Sequence, residues 1–209
     1  FNPERMPQPN ALDSFLRLPY SEDLDGVDIA LAGIPFDLAT SNRPGTKLGP
    51  GYLRSHVYKG VDCDEILDFY IGDKLKIVDT GDFKLMGGYL LDAFELIKEQ
   101  TKRILDAKAT PVIVGGDHSI TFPELAAYYQ VYGPMAMIHF DSHLDTGMYQ
   151  MCPTKEIYTH GNPFSNAMRK GYLDGKHTIQ IGIRTGSPKL NDEYTKEYGR
   201  EIISAKELH

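Results

Sequence analysis

Residues 139 to 146 have the sequence HFDSHLDT, which places three common metal-ligand types at every second position. The three residues are Asp141, His143 and Asp145. Side chains at alternate positions of an extended backbone project from the same side, so two carboxylates and an imidazole would converge. Ser142 would then face the opposite side. The spacing predicts a metal site directly after a strand.

A second polar group, GGDHS at 115 to 119, follows another apolar segment. Its glycines permit a sharp exit from a strand, so His118 would emerge near the first group. Asp117 would point away from His118 in an extended backbone, and we interpret it as a capping group or as a partner of a ligand. The four candidate ligands, His118, Asp141, His143 and Asp145, form a nitrogen and oxygen set suited to Mn, Co, Ni, Fe or Zn.

Each candidate ligand also has a structural alternative, since aspartates cap turns freely and an isolated Asp-x-His pattern carries little information. The combination is more informative. Placing several carboxylates and imidazoles beside buried strands costs on the order of several kcal/mol unless a cation or other partners compensate. A cation at this point would explain the whole group.

The elements that must position these residues are short apolar runs, bounded by turn residues and rich in Val and Ile. The predicted strands are 27–33, 75–79, 111–116, 135–140 and 177–183. Predicted helices cover 87–108, where apolar residues recur at helical spacing, the segment 121–133, and part of 186–198. Strands that alternate with helices predict an α/β fold with a mostly parallel sheet covered on both faces. Ligands of such sheets bind beyond the carboxyl ends of the strands.

Two local features add detail to this prediction. The helix at 121–133 is expected to begin with Thr121 as N-cap, with Glu124 completing a capping box and Gly133 ending it. The segment 37–51 is rich in Gly and Pro and is predicted to be a long loop that borders the site.

Composition limits the classes of protein that the chain can represent. Its 209 residues suit a single domain, residues 1–209, and 41% hydrophobic content suffices for a core. The net charge of −7, with scattered Lys and Arg, argues against a nucleic-acid partner. The chain has no apolar run of about 18 residues, and its first ten residues lack the pattern of a signal peptide, so we expect no membrane association and a cytoplasmic location.

Four motifs together resemble the ureohydrolase family of arginases and agmatinases. They are SNRPGTKLGP at 41–50, GGDHS at 115–119, HFDSHLD at 139–145 and IGIR at 181–184. The SNRPGT loop is more similar to agmatinases and related guanidino-acid hydrolases than to arginases. The resemblance implies an arginase-type three-layer fold and a small guanidino substrate. It also implies two Mn²⁺ ions, for which Ni²⁺ or Co²⁺ are alternatives. The implied assembly is a homo-oligomer such as a trimer or hexamer.

The resemblance also implies roles for individual residues. His118 and Asp145 would bind one ion, His143 the other, and Asp141 would bridge them. A hydroxide bridging the ions would attack the guanidinium carbon, and Asp145 would carry a proton to the leaving nitrogen. His160 in THGNP would serve as a proton shuttle or a substrate contact, although it also fits an ordinary surface histidine.

The motifs say less about the residues at the substrate entrance and about the identity of the substrate. Asn42 and Arg43 are candidates for the border of the entrance, although their loop also fits a structural turn. The segment 146–161 does not match the loop with which arginases recognise arginine. Agmatine, in polyamine metabolism, is therefore the first candidate, with guanidinobutyrate or guanidinopropionate next.

The chain departs from the family in two respects, one of which is Ser142, where the family usually has alanine; the other concerns the metal ligands. Family members carry a later strand with a DxDxxDP motif that supplies two more aspartate ligands, and this motif is absent from the 209 residues. We therefore expect a ureohydrolase-type domain that lacks its C-terminal part and whose activity alone is in doubt. Two alternatives to an amidinohydrolase stay open: a noncatalytic assembly subunit, and a single-zinc deacetylase, which uses paired histidines where this chain has GGDHS.

Overall fold

The structure is a computed structural model that describes residues 13–56, 63–64, 69–147, 156–185 and 197–208. Its strands, in chain order, are β1 (Ile29–Ile34), β2 (Cys63–Asp64), β3 (Phe69–Tyr70), β4 (Ile77–Asp82), β5 (Thr110–Gly115), β6 (Met135–Phe140), β7 (Leu173–Ile183) and β8 (Glu201–Ser204). Its α-helices are α1 (Gly49–His56), α2 (Leu90–Asp106), α3 (Thr121–Tyr132) and α4 (Pro163–Arg169). None of these helices is long and apolar enough to cross a membrane.

Six strands form two parallel sheets of three strands each, in the orders β4-β1-β5 and β6-β7-β8. The short strands β2 and β3 pair separately and antiparallel. The α/β prediction with a mostly parallel sheet is confirmed, with one difference: the described strands divide into two sheets instead of one. Strands β5 and β6 are each an edge of one sheet, and within the described residues they do not hydrogen-bond to each other.

Helices cover both faces of β1, the central strand of the first sheet. Ala30, Ala32 and Ile34 share one face, which belongs to the core that also contains Phe94 and Ile97 of α2. Gly33 lies on the other face, where an added Cβ would come within 2.8 Å of a side-chain atom of Pro50 in α1. Successive strand residues face opposite sides, so α1 and α2 lie on opposite faces.

The edge strands β5 and β6 carry exposed apolar side chains. Val112 in β5 is 43% exposed, and Ile138 and Phe140 in β6 are 69% and 76% exposed. Parallel sheets are normally buried on both faces, and their central strands hydrogen-bond on both sides. The described part of the chain thus leaves two strand edges and one apolar face of β6 without a partner, which is the pattern of a surface that associates with another polypeptide.

Most predicted elements are found, and their bounds shift by a few residues. All five predicted strands are present, and the helices predicted at 87–108 and 121–133 are α2 and α3. The predicted loop at 37–51 is shorter than expected, because the chain becomes helical at Thr46. Of the helix predicted within 186–198, residues 186–196 lie outside the described residues.

The predicted capping box at the start of α3 is wrong. Residues His118–Ile120 form a 3-10 turn that leads directly into α3, so Thr121 already has a helical neighbour before it. The cap is Asp117, whose side chain accepts a hydrogen bond from the backbone of Ser119. Asp117 thus acts as the capping group that we expected, four residues earlier than the predicted cap.

A buried ion pair joins α1 to the first sheet and was not predicted. The Nε and Nη2 atoms of Arg54 donate to the two carboxylate oxygens of Asp79 at 2.8 and 3.0 Å. Arg54 also donates to Asp82, and its guanidinium lies 3.9 Å from the ring centre of Phe15. The side chains of Arg54 and Asp79 are only 10% and 1% exposed. The ion pair is bidentate and buried, so it stabilises the fold and differs from an exposed ion pair at the surface.

Replacing Asp79 by alanine should lower the free energy of unfolding by about 3 to 5 kcal/mol, because the guanidinium of Arg54 would stay buried without its main partner. Denaturation in urea measures this change. The control is Asp82→Ala, which removes a partner that is 38% exposed and should cost about 1 kcal/mol or less. Equal losses for the two variants would contradict the assigned roles.

Candidate metal centre

His118 is placed by a tight turn at the carboxyl end of β5. A Cβ added to Gly116 would lie 2.3 Å from the carbonyl oxygen of Phe36, so only glycine allows this close approach of two backbones. Asp117 is buried and accepts hydrogen bonds from the amides of Ser119 and Ala39 at 2.9 and 3.0 Å. These contacts fix the backbone on which the imidazole of His118 is carried.

Asp141 follows β6 directly and is held by the neighbouring strand. Its amide donates to the carbonyl of Ile181 in β7 at 3.1 Å, and its Oδ1 accepts from the amide of His143 at 2.8 Å. The second bond turns the chain, so the extended alternation expected for residues 139 to 146 ends at Phe140. Ser142 therefore does not face away from the candidate ligands: its hydroxyl lies 3.0 Å from Nδ1 of His143.

Asp145 meets His118 across the two sheets. Its Oδ2 lies 2.5 Å from Nδ1 of His118, and its side chain is 13% exposed. The backbone of Asp145 is left-handed, with φ of 48°. Such a conformation costs a residue other than glycine on the order of 1 to 3 kcal/mol and is concentrated at functional sites.

The structure also brings His139 into this group. One donor atom each from His118, His139 and Asp141 lies within 4.8 Å of the others. His139 shares the odd-numbered spacing of the predicted ligands, so the sequence contained a signal for it, but we did not single it out. Its Nε2 is buried, lies 3.5 Å from Oδ2 of Asp141 and has no hydrogen-bond partner among the described residues.

His143 occupies a more open position than the other candidates. Its side chain is 64% exposed, and its Nδ1 lies 3.3 Å from Oδ1 of Asp141. The two oxygens of Asp141 are therefore directed differently, Oδ1 toward His143 and Oδ2 toward His139.

The local charges favour cation binding. Burial raises the pKa of Asp141, but the amide of His143 and the ring of His139 outweigh burial, so its pKa lies below the usual value. Burial, together with the nearby His118, lowers the pKa of His139. Metal binding requires an anionic carboxylate and an imidazole nitrogen with a free lone pair, so the lowered pKa of Asp141 favours a bound divalent cation. The donor set therefore fits Mn²⁺ or a related ion.

His160 is held by the loop that contains Asn42 and Arg43. The amide of Ser41 donates to Nε2 of His160 at 3.3 Å, the Ser41 hydroxyl lies 2.8 Å from the same nitrogen, and the His160 amide donates to Ala39 at 3.2 Å. Asn42 and Arg43 are exposed. The three predicted substrate contacts thus lie on connected loops, and the described hydrogen bonds of His160 go to this loop and not to the four candidate ligands.

A cleft of about 280 Å³ opens beside His118 along β5 and contains an unusual carboxyl group. Glu124 of α3 lines the cleft, and its Oε1 is buried with no hydrogen-bond partner among the described residues. Burial raises the pKa of Glu124 to about 8. The side chain expected to cap α3 is therefore an uncharged acid at neutral pH.

Comparison with known proteins agrees with this geometry. A family model described as Arginase family matches residues 27–209. The mitochondrial agmatinase of Gallus gallus is 35% identical over 98% of this chain, and the mitochondrial guanidino acid hydrolase of Homo sapiens is 33% identical over 99%. The crystal structure of a hypothetical agmatinase from Burkholderia thailandensis is 34% identical and superposes with a TM-score of 0.81 over 96% of this chain.

The similarity covers only part of each longer protein. The chain spans 59% of the chicken relative, 58% of the human relative and 61% of the Burkholderia chain. The superposition on the Burkholderia structure nevertheless includes nearly the whole of this chain.

The pKa of Glu124 predicts how stability depends on pH. In the unfolded chain this carboxyl loses its proton near pH 4.5, whereas in the folded protein it keeps the proton up to about pH 8. Between these values the folded state binds more protons, so the free energy of unfolding falls as pH rises, by at most about 1.4 kcal/mol per pH unit. Glu124→Gln should remove this contribution and make the protein more stable at pH 8 than the unsubstituted chain.

Denaturation in urea at pH 5, 6, 7 and 8 measures the effect, and the exposed Glu99→Gln on α2 is the matched control. Parallel pH profiles for Glu124→Gln and Glu99→Gln would contradict a buried, protonated Glu124.

Proposed function

The chain belongs to the arginase family, and from that premise we propose that it hydrolyses a guanidino compound, agmatine or a related ω-guanidino acid, to urea and an amine. One observation carries the proposal. Donor groups from two separate sheets meet at the carboxyl ends of β5 and β6, where Nδ1 of His118 and Oδ2 of Asp145 lie 2.5 Å apart. Carboxyl ends of parallel strands are where α/β proteins bind their ligands.

The proposed metal ligands are His118, Asp141, His143 and Asp145. His118 and Asp145 would hold one ion, His143 would hold the other, and Asp141 would contribute to both. Mn²⁺ is the proposed ion, and Ni²⁺ and Co²⁺ suit the same nitrogen and oxygen donors. When bound, the two cations supply hydroxide from water at neutral pH and stabilise the negative charge that develops as the guanidinium carbon is attacked.

Proton transfer is assigned to residues of this chain. Asp145 is 13% exposed and close to His118, so its Oδ2 can hold the proton removed from water and release it to the leaving nitrogen. In neutral His160 the Ser41 amide donates to Nε2, which leaves the ring proton on Nδ1. We propose that His160 contacts the substrate or relays a proton to solvent from this loop.

The loop that contains Asn42 and Arg43 is proposed to border the substrate. It is joined to the ligand-bearing turn, because Ala39 and Thr40 donate to Oδ2 of Asp117, the residue before His118. A cationic Arg43 at this border suits the carboxylate of a guanidino acid better than the terminal amine of agmatine. This loop is therefore the proposed place where the two substrate classes are distinguished.

We propose that the active protein contains more polypeptide than the described residues. Two divalent cations against the carboxylates of Asp141 and Asp145 leave an excess of positive charge that further carboxylates would balance. Strands β5 and β6 present free edges beside this charge, and the relatives are longer than this chain. We propose residues 1–209 as a single ureohydrolase-type domain that a further polypeptide segment, pairing with these edges, completes.

The second candidate is a noncatalytic assembly subunit. The exposed Ile138 and Phe140 on β6 favour association with another chain, whether a complete relative or further copies in a trimer or hexamer. The arginase family match favours guanidino hydrolysis over the deacetylase alternative. The cellular location stays a prediction, since two of the relatives are described as mitochondrial whereas we expect a cytoplasmic protein.

Urea release tests the proposed activity. The purified chain is incubated with Mn²⁺ and agmatine, guanidinobutyrate, guanidinopropionate or arginine, alone and with the part of the human guanidino acid hydrolase that lies outside the matched region. We expect Mn²⁺-dependent urea release that is greater with the added region. Asp145→Asn and His143→Ala should each reduce the rate by about a hundredfold or more.

His177→Ala is the matched control, because this histidine is 71% exposed and pairs with Asp174. Urea release that is unchanged in Asp145→Asn and His143→Ala would contradict the assigned roles. No release under any of these conditions, together with stable association with a longer relative, would support the assembly subunit instead.

Substrate preference tests the role of Arg43. Arg43→Ala should lower kcat/KM for guanidinobutyrate about tenfold and leave the value for agmatine unchanged or higher, since only the acid loses a charge partner. Arg17→Ala, which removes an arginine paired with Asp13, is the control. Equal losses on both substrates would exclude Arg43 from substrate discrimination.

A further inference from the structure

Gln180 is a polar residue in the middle of β7 that no part of the proposed reaction uses. It is fully buried, with 0% of its surface exposed, and it sits opposite His139 in the parallel pairing of β6 and β7. Its amide nitrogen lies 3.0 Å from Nδ1 of His139 and 2.8 Å from the carbonyl oxygen of Leu144. A buried amide in a strand interior is destabilising unless its contacts compensate.

The contact with Leu144 fixes the orientation of the Gln180 amide. A backbone carbonyl only accepts hydrogen bonds, so the group that faces it must be the NH2 and not the amide oxygen. In the flipped orientation two acceptor oxygens would oppose each other at 2.8 Å. The orientation is kept although Oε1 of Gln180 has no hydrogen-bond partner among the described residues.

The orientation of the amide in turn fixes the proton on His139. One N–H of Gln180 points to Leu144, and the other donates to Nδ1 of His139, which must therefore offer its lone pair. A neutral imidazole carries one proton, so in His139 that proton is on Nε2. Nε2 is the nitrogen that lies 3.5 Å from Oδ2 of Asp141.

We propose that Gln180 and His139 form a positioning pair for Asp141, in which Gln180 holds His139 in the Nε2–H tautomer and His139 donates to the Asp141 carboxylate. His139 is then not a metal ligand, although one of its ring nitrogens belongs to the group of converging donors. Because Asp141 matters here as a metal ligand, the inference rests on the proposed function. It adds two residues that determine how this carboxylate is presented.

The surroundings restrict His139 to this role. The ring of Phe164 packs edge-on against His139, with centroids 4.6 Å apart, and His118 is 5.4 Å away. The ring therefore cannot turn to exchange its two nitrogens without displacing a side chain that is 1% exposed. At 3.5 Å the contact with Asp141 is longer than a good hydrogen bond, and such contacts commonly tighten when a ligand binds.

The tautomer of His139 can be measured directly in the metal-free protein. Two-bond ¹⁵N–¹H correlation spectra distinguish a protonated ring nitrogen from one with a free lone pair, and His139→Asn assigns the signal among the seven histidines. We expect Nε2 protonated and Nδ1 unprotonated at pH 7.5. A proton on Nδ1 would overturn the proposal. This measurement needs no substitution of Gln180 and no enzymatic activity.

Addition of Zn²⁺, a diamagnetic probe, separates positioning from ligation. The ring signals of His118 and His143 should shift to those of metal-bound imidazole, while His139 keeps its Nε2 proton. Loss of that proton, with a metal-bound signal for His139, would show that His139 is a ligand and would overturn the proposal.

Gln180→Met, which keeps the length of the side chain and removes its donors, should abolish the tautomer preference and weaken Mn²⁺ binding about tenfold to a hundredfold. The electron paramagnetic resonance signal of free Mn²⁺ gives the dissociation constant. The matched control is Thr178→Val, a buried residue on the same face of β7 whose hydroxyl donates to Asp174 and does not touch His139. Unchanged Mn²⁺ affinity and tautomer in Gln180→Met would overturn the proposal, whatever the outcome of the urea assay.

Discussion

Nδ1 of His118 and Oδ2 of Asp145 lie 2.5 Å apart, although 27 residues separate them in the chain and they follow strands of different sheets. Strands β5 and β6 share no hydrogen bonds in the described structure, so this polar contact depends on side-chain packing that holds the two sheets together. Helix α3 packs against both α2 and α4, and Phe164 of α4 contacts the rings of His118 and His139. The candidate metal centre therefore lies where helix packing, and not a continuous sheet, sets the geometry.

The arrangement of the two sheets also has an energetic cost, and this cost suggests what the exposed strand edges are for. Free edges on β5 and β6 and the exposed side chains of Ile138 and Phe140 are unfavourable in a protein that stays alone in water. They lie beside a donor set with fewer carboxylates than two divalent cations would need. One event, the pairing of a further segment with these edges, would satisfy the backbone, cover the apolar face and bring additional ligands to the ions. The greater length of the relatives is consistent with this account.

The sequence predicted the features that depend on local pattern. Apolar runs located the strands, and the GGDHS and HFDSHLD motifs located the ends where His118 and Asp145 meet. The sequence did not predict the features that depend on tertiary contacts. Glu124 has the right spacing for a capping box, but the preceding turn continues the helix, and one oxygen of the Glu124 carboxyl is buried in the structure. His139 has the same spacing as the predicted ligands, yet its role depends on Gln180, which looks like an ordinary strand residue until β7 is placed beside β6. The pair of Arg54 and Asp79 joins residues 25 positions apart and has no sequence signature.

The central claim is that residues following β5 and β6 jointly hold a divalent cation. Elemental analysis of the purified chain, after incubation with Mn²⁺ and removal of the excess, tests it most directly when the unsubstituted protein is compared with His118→Ala and Asp141→Ala. The account predicts at least one retained Mn²⁺ per chain, lost in both variants because each removes a ligand from a different sheet. No retained metal, or the same metal content in all three proteins, would contradict it.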